Sequence, residues 1–233
     1  MSNDLKDTRR GGFYFKNEKP YVSVTEVLKT VDKPALRYWT GEQVFNAMVV
    51  NPNLSKAEAL AAPYKTSEKA KSRGSTVHSI VEAFEHGNKV EDQRIPEEFK
   101  GYAKAFYQWV GIDKAKVIEH EKTVFSEKYQ YAGTLDLIVS LEENHPPFVI
   151  DVKTGKGIYQ EAFMQVSAYR NALDEAGIKT SGVAILLLQE NGDYKFEMST
   201  NTETKFKGFL ACRDIWMALN EAMLKNIGYL KGS

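Results

Sequence analysis

Cysteine is almost absent from this sequence of 233 residues, and Cys212 is its single example. One thiol cannot form an intrachain disulfide, a cysteine-rich zinc site or a four-cysteine iron–sulfur cluster. We therefore expect Cys212 to be a small core residue. Long apolar runs are also missing, and no segment of the sequence approaches the length of a membrane span.

An excess of one charge is absent as well. Lys and Arg together number 31, as do Asp and Glu, so the formal net charge is zero. Bulk charge therefore does not indicate nucleic-acid binding, which would require a local basic patch. The opening MSNDLKDTRRGG lacks the apolar core of a signal peptide, which predicts an intracellular protein.

The pattern of apolar residues changes from helical to strand-like along the chain. Val77, Ile80, Val81 and Phe84 have the spacing of one helix face. The second half instead predicts three successive strands, KVIEHEKTVFS, YAGTLDLIVSL and PFVIDVK, followed by the helix YQEAFMQVSAYRNALDEAG. A buried strand, GVAILLLQ, then has the hairpin partner DYKFEMS, and a final helix is predicted over about 202–230.

We interpret these elements as one domain of the α/β (α+β) class, with a mixed central sheet flanked by helices. Residues 1–12 are expected to be a flexible tail, and residues 13–233 the domain. A helical N-terminal part is expected over about 13–112, followed by a sheet-containing core over about 113–233.

Three charged residues occupy positions that strands usually leave to apolar side chains. Asp136 interrupts one apolar strand, while Asp151 and Lys153 end the next. A hairpin turn around 143–144 would place Asp136 opposite Asp151, with Lys153 on the same face. The trio has two interpretations: a buried salt-bridge cluster, or two carboxylates that share a cation such as magnesium.

The segments AGTLD and IDVKTG resemble the two core motifs of the PD-(D/E)XK nuclease superfamily. Asp136 matches the first acidic position, and Asp151-Val152-Lys153 matches (D/E)XK. The resemblance implies a restriction-endonuclease-like fold. It also implies that Asp136, Asp151 and the Val152 carbonyl bind a metal while Lys153 assists catalysis.

Further matches are similar to the RecB-like, phage-type exonuclease branch. His78 lies in RGSTVHSIVEAFEHG, and Gln165 and Tyr169 form a Q-x-x-x-Y pattern in QVSAY. This branch implies metal ligation by His78, and contacts of Gln165 and Tyr169 with DNA or with the active-site lysine. Glu121 is a candidate ligand for a second metal or a partner of His78, and it is equally explained as a solvated residue of an edge strand, with Glu119 as the substitute.

Other candidate contacts with the DNA backbone are Thr154, Lys156 and Arg73. For the two basic residues, solvation is the simpler explanation. The stretch KTGKG is not a phosphate loop, because the G-x-x-x-x-G-K-[ST] pattern is absent.

Taken with the residues, the resemblance implies a Mg²⁺- or Mn²⁺-dependent DNA exonuclease using one or two ions. Its expected setting is phage or bacterial recombination, repair or DNA processing, in the cytoplasm of a bacterial or phage-infected cell. The expected partners are DNA with free ends and a recombination protein, and no membrane. The alternatives are an endonuclease of the same fold and a non-catalytic member that binds DNA or protein.

Overall fold

The structure is a computed structural model that describes residues 8–84 and 94–230. The strands in these residues form one mixed, eight-stranded sheet in the order β1-β2-β3-β5-β6-β7-β8, with β4 paired to β5. They are β1 (Thr8–Arg10), β2 (Phe13–Lys16), β3 (Lys19–Ser23), β4 (Lys116–Ser126), β5 (Tyr131–Ser140), β6 (Phe148–Lys153), β7 (Gly182–Leu188) and β8 (Tyr194–Ser199).

Helices cover both faces of this sheet. The α-helices of the described residues are α1 (Val24–Val27), α2 (Pro34–Val50), α3 (Lys56–Glu82), α4 (Lys100–Ile112), α5 (Gln160–Glu175), α6 (Glu203–Leu219) and α7 (Glu221–Asn226), with 3₁₀ turns at Leu28–Thr30 and Glu97–Phe99. Within the described residues, every helix is too short or too polar to cross a membrane.

The alternation of side chains along the strands produces two apolar layers. Ile138 and Val149 face the layer that contains Val166 of α5. Leu137 and Ile150 face the opposite layer, which includes Val77 of α3 and residues of α4. Burial on both faces explains why β7 is a continuous apolar run with every residue buried. The predicted α/β class, with a mixed central sheet flanked by helices, is confirmed.

The N-terminal part differs from the expected mostly helical segment. Residues 8–12 of the expected tail form β1 and the turn after it, whereas residues 1–7 lie outside the described residues. Strands β1 to β3 extend the same sheet, because β3 pairs in parallel with the start of β5 through Val22–Tyr131 and Ser23–Ala132.

Helix α3 has 27 residues and begins well before the helical spacing of Val77, Ile80 and Val81 that predicted its second half. Ser55 caps it, and its hydroxyl and the Glu58 carboxylate satisfy each other's backbone N–H groups as a capping box. Pro63 lies inside the helix and is buried. This long helix carries His78 to the sheet.

Candidate active site

A gap along one edge of β5 creates the site. Strand β4 pairs along one edge of β5 from Tyr131 to Ser140. The other edge is shared, because β3 pairs with residues 131–132 and β6 with residues 137–139. Residues 133–136 therefore face an opening between β3 and β6, and Asp136 lies at its inner end.

The hairpin of β5 and β6 has the predicted register. Leu137 pairs with Ile150, so the next step places Asp136 opposite Asp151. At Asp136 a side-chain contact replaces the backbone pairing between β5 and β6, because the Val152 N–H donates to Asp136 Oδ2 at 2.6 Å. Val152 points into the other apolar layer, as the strand alternation predicts.

Both oxygens of Asp151 have partners. Its Oδ2 lies 2.6 Å from Lys153 Nζ, and its Oδ1 accepts a hydrogen bond of 2.8 Å from Gln165 Nε2. The same Gln165 amide donates to the Tyr169 hydroxyl at 3.1 Å. Asp151 is 1% exposed, so this ion pair and hydrogen bond compensate a buried charge.

His78 reaches the sheet from α3. Its Nε2 lies 3.0 Å from the Val152 carbonyl oxygen. A carbonyl oxygen only accepts, so this hydrogen bond puts the ring proton on Nε2 and leaves the Nδ1 lone pair free. Nδ1 faces Asp136 Oδ1 at 3.5 Å and Glu121 Oε1 at 3.8 Å. Metal-binding histidines are commonly oriented by such a hydrogen bond from the second ring nitrogen.

Glu121 enters the site through an unusual backbone conformation. Its φ is +47°, in the left-handed region, although it lies within β4. The flanking pairs His120–Leu137 and Lys122–Leu135 place Glu121 opposite Asp136. Such conformations cost roughly 1–3 kcal/mol and cluster at functional sites. Glu119, the substitute candidate, instead forms an ion pair of 2.7 Å with Lys122.

Together, His78, Glu121 and Asp136 each offer a ligand atom, and these atoms lie within 4.8 Å of one another. Burial, followed by the neighbouring Asp151 carboxylate, raises the pKa of Asp136 to about 7. Burial lowers the pKa of Lys153, whereas the neighbouring Asp151 carboxylate raises it. The net shift of this pKa is upward, so Lys153 is an ammonium ion at neutral pH. The arrangement therefore combines an acidic donor cluster with one adjacent cation.

These groups line a cleft of about 230 Å³. Its opposite wall comes from the N-terminal strands and α1, which contribute Arg9, Tyr14, Ser23 and Thr25. The Tyr14 hydroxyl lies 3.1 Å from Thr134 Oγ1 on β5. Sequence reasoning missed this wall, since no local motif marks these residues.

The other predicted DNA contacts, Thr154, Lys156 and Arg73, are not among the described residues that line this cleft. Lys156 is exposed and Thr154 half-buried, both just beyond β6. Arg73 is half-buried on α3, and its Nε is buried without a hydrogen-bond partner. Tyr169 is 2% exposed, and its hydroxyl accepts a hydrogen bond from Gln165, which also contacts Asp151. Both residues line the cleft, and their contacts with DNA or with the lysine stay a prediction.

Comparisons with known proteins gave no relative by sequence, since no family model and no curated protein matches the chain. Several solved structures are distantly similar. An alkaline exonuclease from Laribacter hongkongensis, LHK-Exo, is 11% identical with a TM-score of 0.40, covering 89% of this chain and 94% of its own. Its complex with dAMP gives 12% identity, a TM-score of 0.37 and coverages of 88% and 94%. The protein SSO0001 is 12% identical with a TM-score of 0.40, and the match covers 92% of this chain and 80% of its own. TM-scores this low carry no inference about activity.

Proposed function

We propose that this protein is a divalent-cation-dependent deoxyribonuclease that hydrolyses phosphodiester bonds from the ends of DNA. One observation carries the proposal. The ligand atoms of His78, Glu121 and Asp136 converge within 4.8 Å, next to the Lys153–Asp151 ion pair. A buried salt bridge alone would require neither the histidine nor the strained Glu121.

The donor set fits a small, hard cation. Two carboxylates and one imidazole nitrogen meet in a cleft where burial and the Asp151 carboxylate disfavour the negative charge of Asp136. Oxygen ligands suit Mg²⁺ and Mn²⁺, and imidazole is compatible with Mn²⁺. His78, Glu121 and Asp136 would hold the ion, with Asp151 and the Val152 carbonyl as further ligands. Such an ion polarises a phosphoryl oxygen and lowers the pKa of a water molecule.

The surrounding residues have separate tasks. Lys153 presents an ammonium group to the cleft, where it orients the attacking water and stabilises charge that develops on the phosphate. Gln165 holds Asp151 Oδ1, which leaves Oδ2 to fix the position of that ammonium group. The Val152 carbonyl fixes the tautomer of His78. Each contact reduces the reorganisation that the reaction requires.

The choice of an exonuclease over an endonuclease rests on the resemblance of QVSAY to the RecB-like pattern. That resemblance also favours a role in phage or bacterial DNA recombination, repair or processing, with a recombination protein as partner. The resemblance favours catalysis over a purely binding role, because Asp136, Asp151 and Lys153 are all present and a non-catalytic copy of the motif often loses one of them.

Incubation of the purified protein with linear and covalently closed circular DNA tests the proposal. We expect Mg²⁺ or Mn²⁺ to support digestion of linear DNA, excess EDTA to abolish it, and closed circles to survive. Full cleavage in EDTA would refute the cation-dependent site. Rapid nicking of closed circles would instead show an endonuclease.

A further inference from the structure

A second groove of about 730 Å³ lies beside the catalytic cleft. The two cavities are adjacent, because Thr25 and Gln165 line both of them. One wall of the groove is the 3₁₀ turn Leu28–Thr30 and the first half of α2, and the other is the start of α5. A chain that passes through the catalytic cleft can therefore continue into this groove.

The floor and the rim of the groove differ in chemistry. Leu28, Val31 and Leu36 contribute apolar surface, and Leu36 is 51% exposed. The lining also contains three cations, Lys29, Lys33 and Arg37, and two carboxylates, Asp32 and Glu161. Leu28 is buried and Val31 half-buried, so Leu36 supplies the exposed apolar surface of the groove. An exposed apolar side chain next to cations suits a ligand with apolar surface and negative charge.

Each cation of the rim has a carboxylate partner, and Lys29 is paired with Glu26. Arg37 contacts Asp32 at 2.7 Å, with side chains 72% and 64% exposed. Lys33 contacts Glu161 of α5 at 3.1 Å, so this ion pair bridges the two walls. Exposed ion pairs contribute little to stability, whereas hydrogen bonds from Arg to phosphate are charge-assisted and bidentate. A phosphate in the groove could replace either carboxylate.

We propose that this groove binds the single-stranded part of a DNA substrate next to the bond that is cut. The inference rests on the proposed function and extends it to strand preference. A single strand offers its phosphates to the rim and its unpaired base faces to the aliphatic floor, where removal of apolar surface from water is favourable. A duplex keeps its bases stacked and paired, so the floor gains nothing from it. The groove therefore favours a single-stranded end over a blunt duplex.

Binding measured without catalysis tests the groove separately from the chemistry. A fluorescent twelve-residue oligothymidylate and a blunt twelve-base-pair duplex are titrated in EDTA and followed by anisotropy. We expect Leu36→Glu to weaken binding of the single strand by about tenfold or more, because the new carboxylate covers the floor and repels a strand that lies in the groove. Duplex binding should change little, because the duplex does not enter the groove. Arg37→Ala should lower the slope of log K against log salt by about 0.7, which corresponds to one lost phosphate contact.

Phe45→Glu is the matched control. Phe45 lies nine residues after Leu36, or 2.5 helical turns, on the opposite face of α2. It is 66% exposed, and α2 has no buried residue, so both variants should fold, which a thermal melt verifies. Wild-type affinity in Leu36→Glu, or equal losses of affinity for single strand and duplex, would refute single-strand binding in the groove. Absence of hydrolysis with selective binding intact would instead refute the proposed nuclease activity.

Discussion

Replacement of Lys153 by alanine separates catalysis from structure. Its Nζ lies 2.6 Å from Asp151 Oδ2, and Asp151 is 1% exposed. Loss of one preorganised electrostatic contact typically lowers a rate by roughly 10²–10³, or about 2.7–4 kcal/mol. The change also leaves one buried carboxylate oxygen without its cation, which costs about 3–5 kcal/mol. For a domain of this size, that cost lowers the melting temperature by roughly 6–20 °C.

The assay measures both effects on the same sample, by a thermal melt and by single-turnover cleavage of linear DNA. Lys153→Arg is the companion variant, because it keeps the charge that Asp151 requires but moves the donor groups. We expect Lys153→Arg to recover most of the stability and little of the rate. A lowered melting temperature in Lys153→Ala with an unchanged rate for the folded fraction would end the catalytic assignment.

Three further changes probe the neighbouring residues. The folded pKa of Asp136 lies above its ordinary value of 3.8, so its contribution to stability is present below pH 3.8 and is lost as pH rises through about 7. Between pH 4 and pH 8 in EDTA, the unfolding free energy of the wild type should therefore fall by at most about 4 kcal/mol more than that of Asp136→Asn. Urea melts at several pH values measure both free energies, and an equal dependence on pH in the two proteins would contradict this. Gly133→Ala should lower the melting temperature, because the new Cβ would lie 2.3 Å from the Tyr169 ring. Overpacking of this kind costs about 1–3 kcal/mol. An unchanged melting temperature would show that the ring can move. Glu121→Gln should weaken Mn²⁺ binding by about tenfold in calorimetry, whereas Glu119→Gln on the same strand should not, and equal effects would remove Glu121 from the ligand set.

The hairpin that carries Asp136, Asp151 and Lys153 was predictable from the sequence because its pairing is local. The strands are separated by a short turn, so alternation and the turn position together determine which side chains are opposite. The structure confirms this register. His78 could be connected to Val152, 74 residues away, only through a resemblance to known motifs.

The N-terminal wall of the cleft was not predictable in the same way. Tyr14 contacts Thr134 across 120 residues, and Val22 pairs with Tyr131. A short apolar strand does not encode the identity of a partner so far along the chain, because any strand edge could satisfy its backbone. The left-handed conformation of Glu121 was equally hidden, since glutamate has no preference for it and only the surrounding pairs hold it there.

The opening on β5 is bounded by β3 and β6, which the ribosome makes at very different times. At 5–20 residues per second, β3 emerges about 5–20 s before β5, the strand on which it docks. The carboxylates of β5 and β6 follow, and Gln165, which orients Asp151, comes later still. An unfinished chain that ends before α5 therefore lacks the hydrogen bond that holds Asp151 Oδ1. Under the proposed function, fragments that terminate before α5 should cleave DNA more slowly than the full chain.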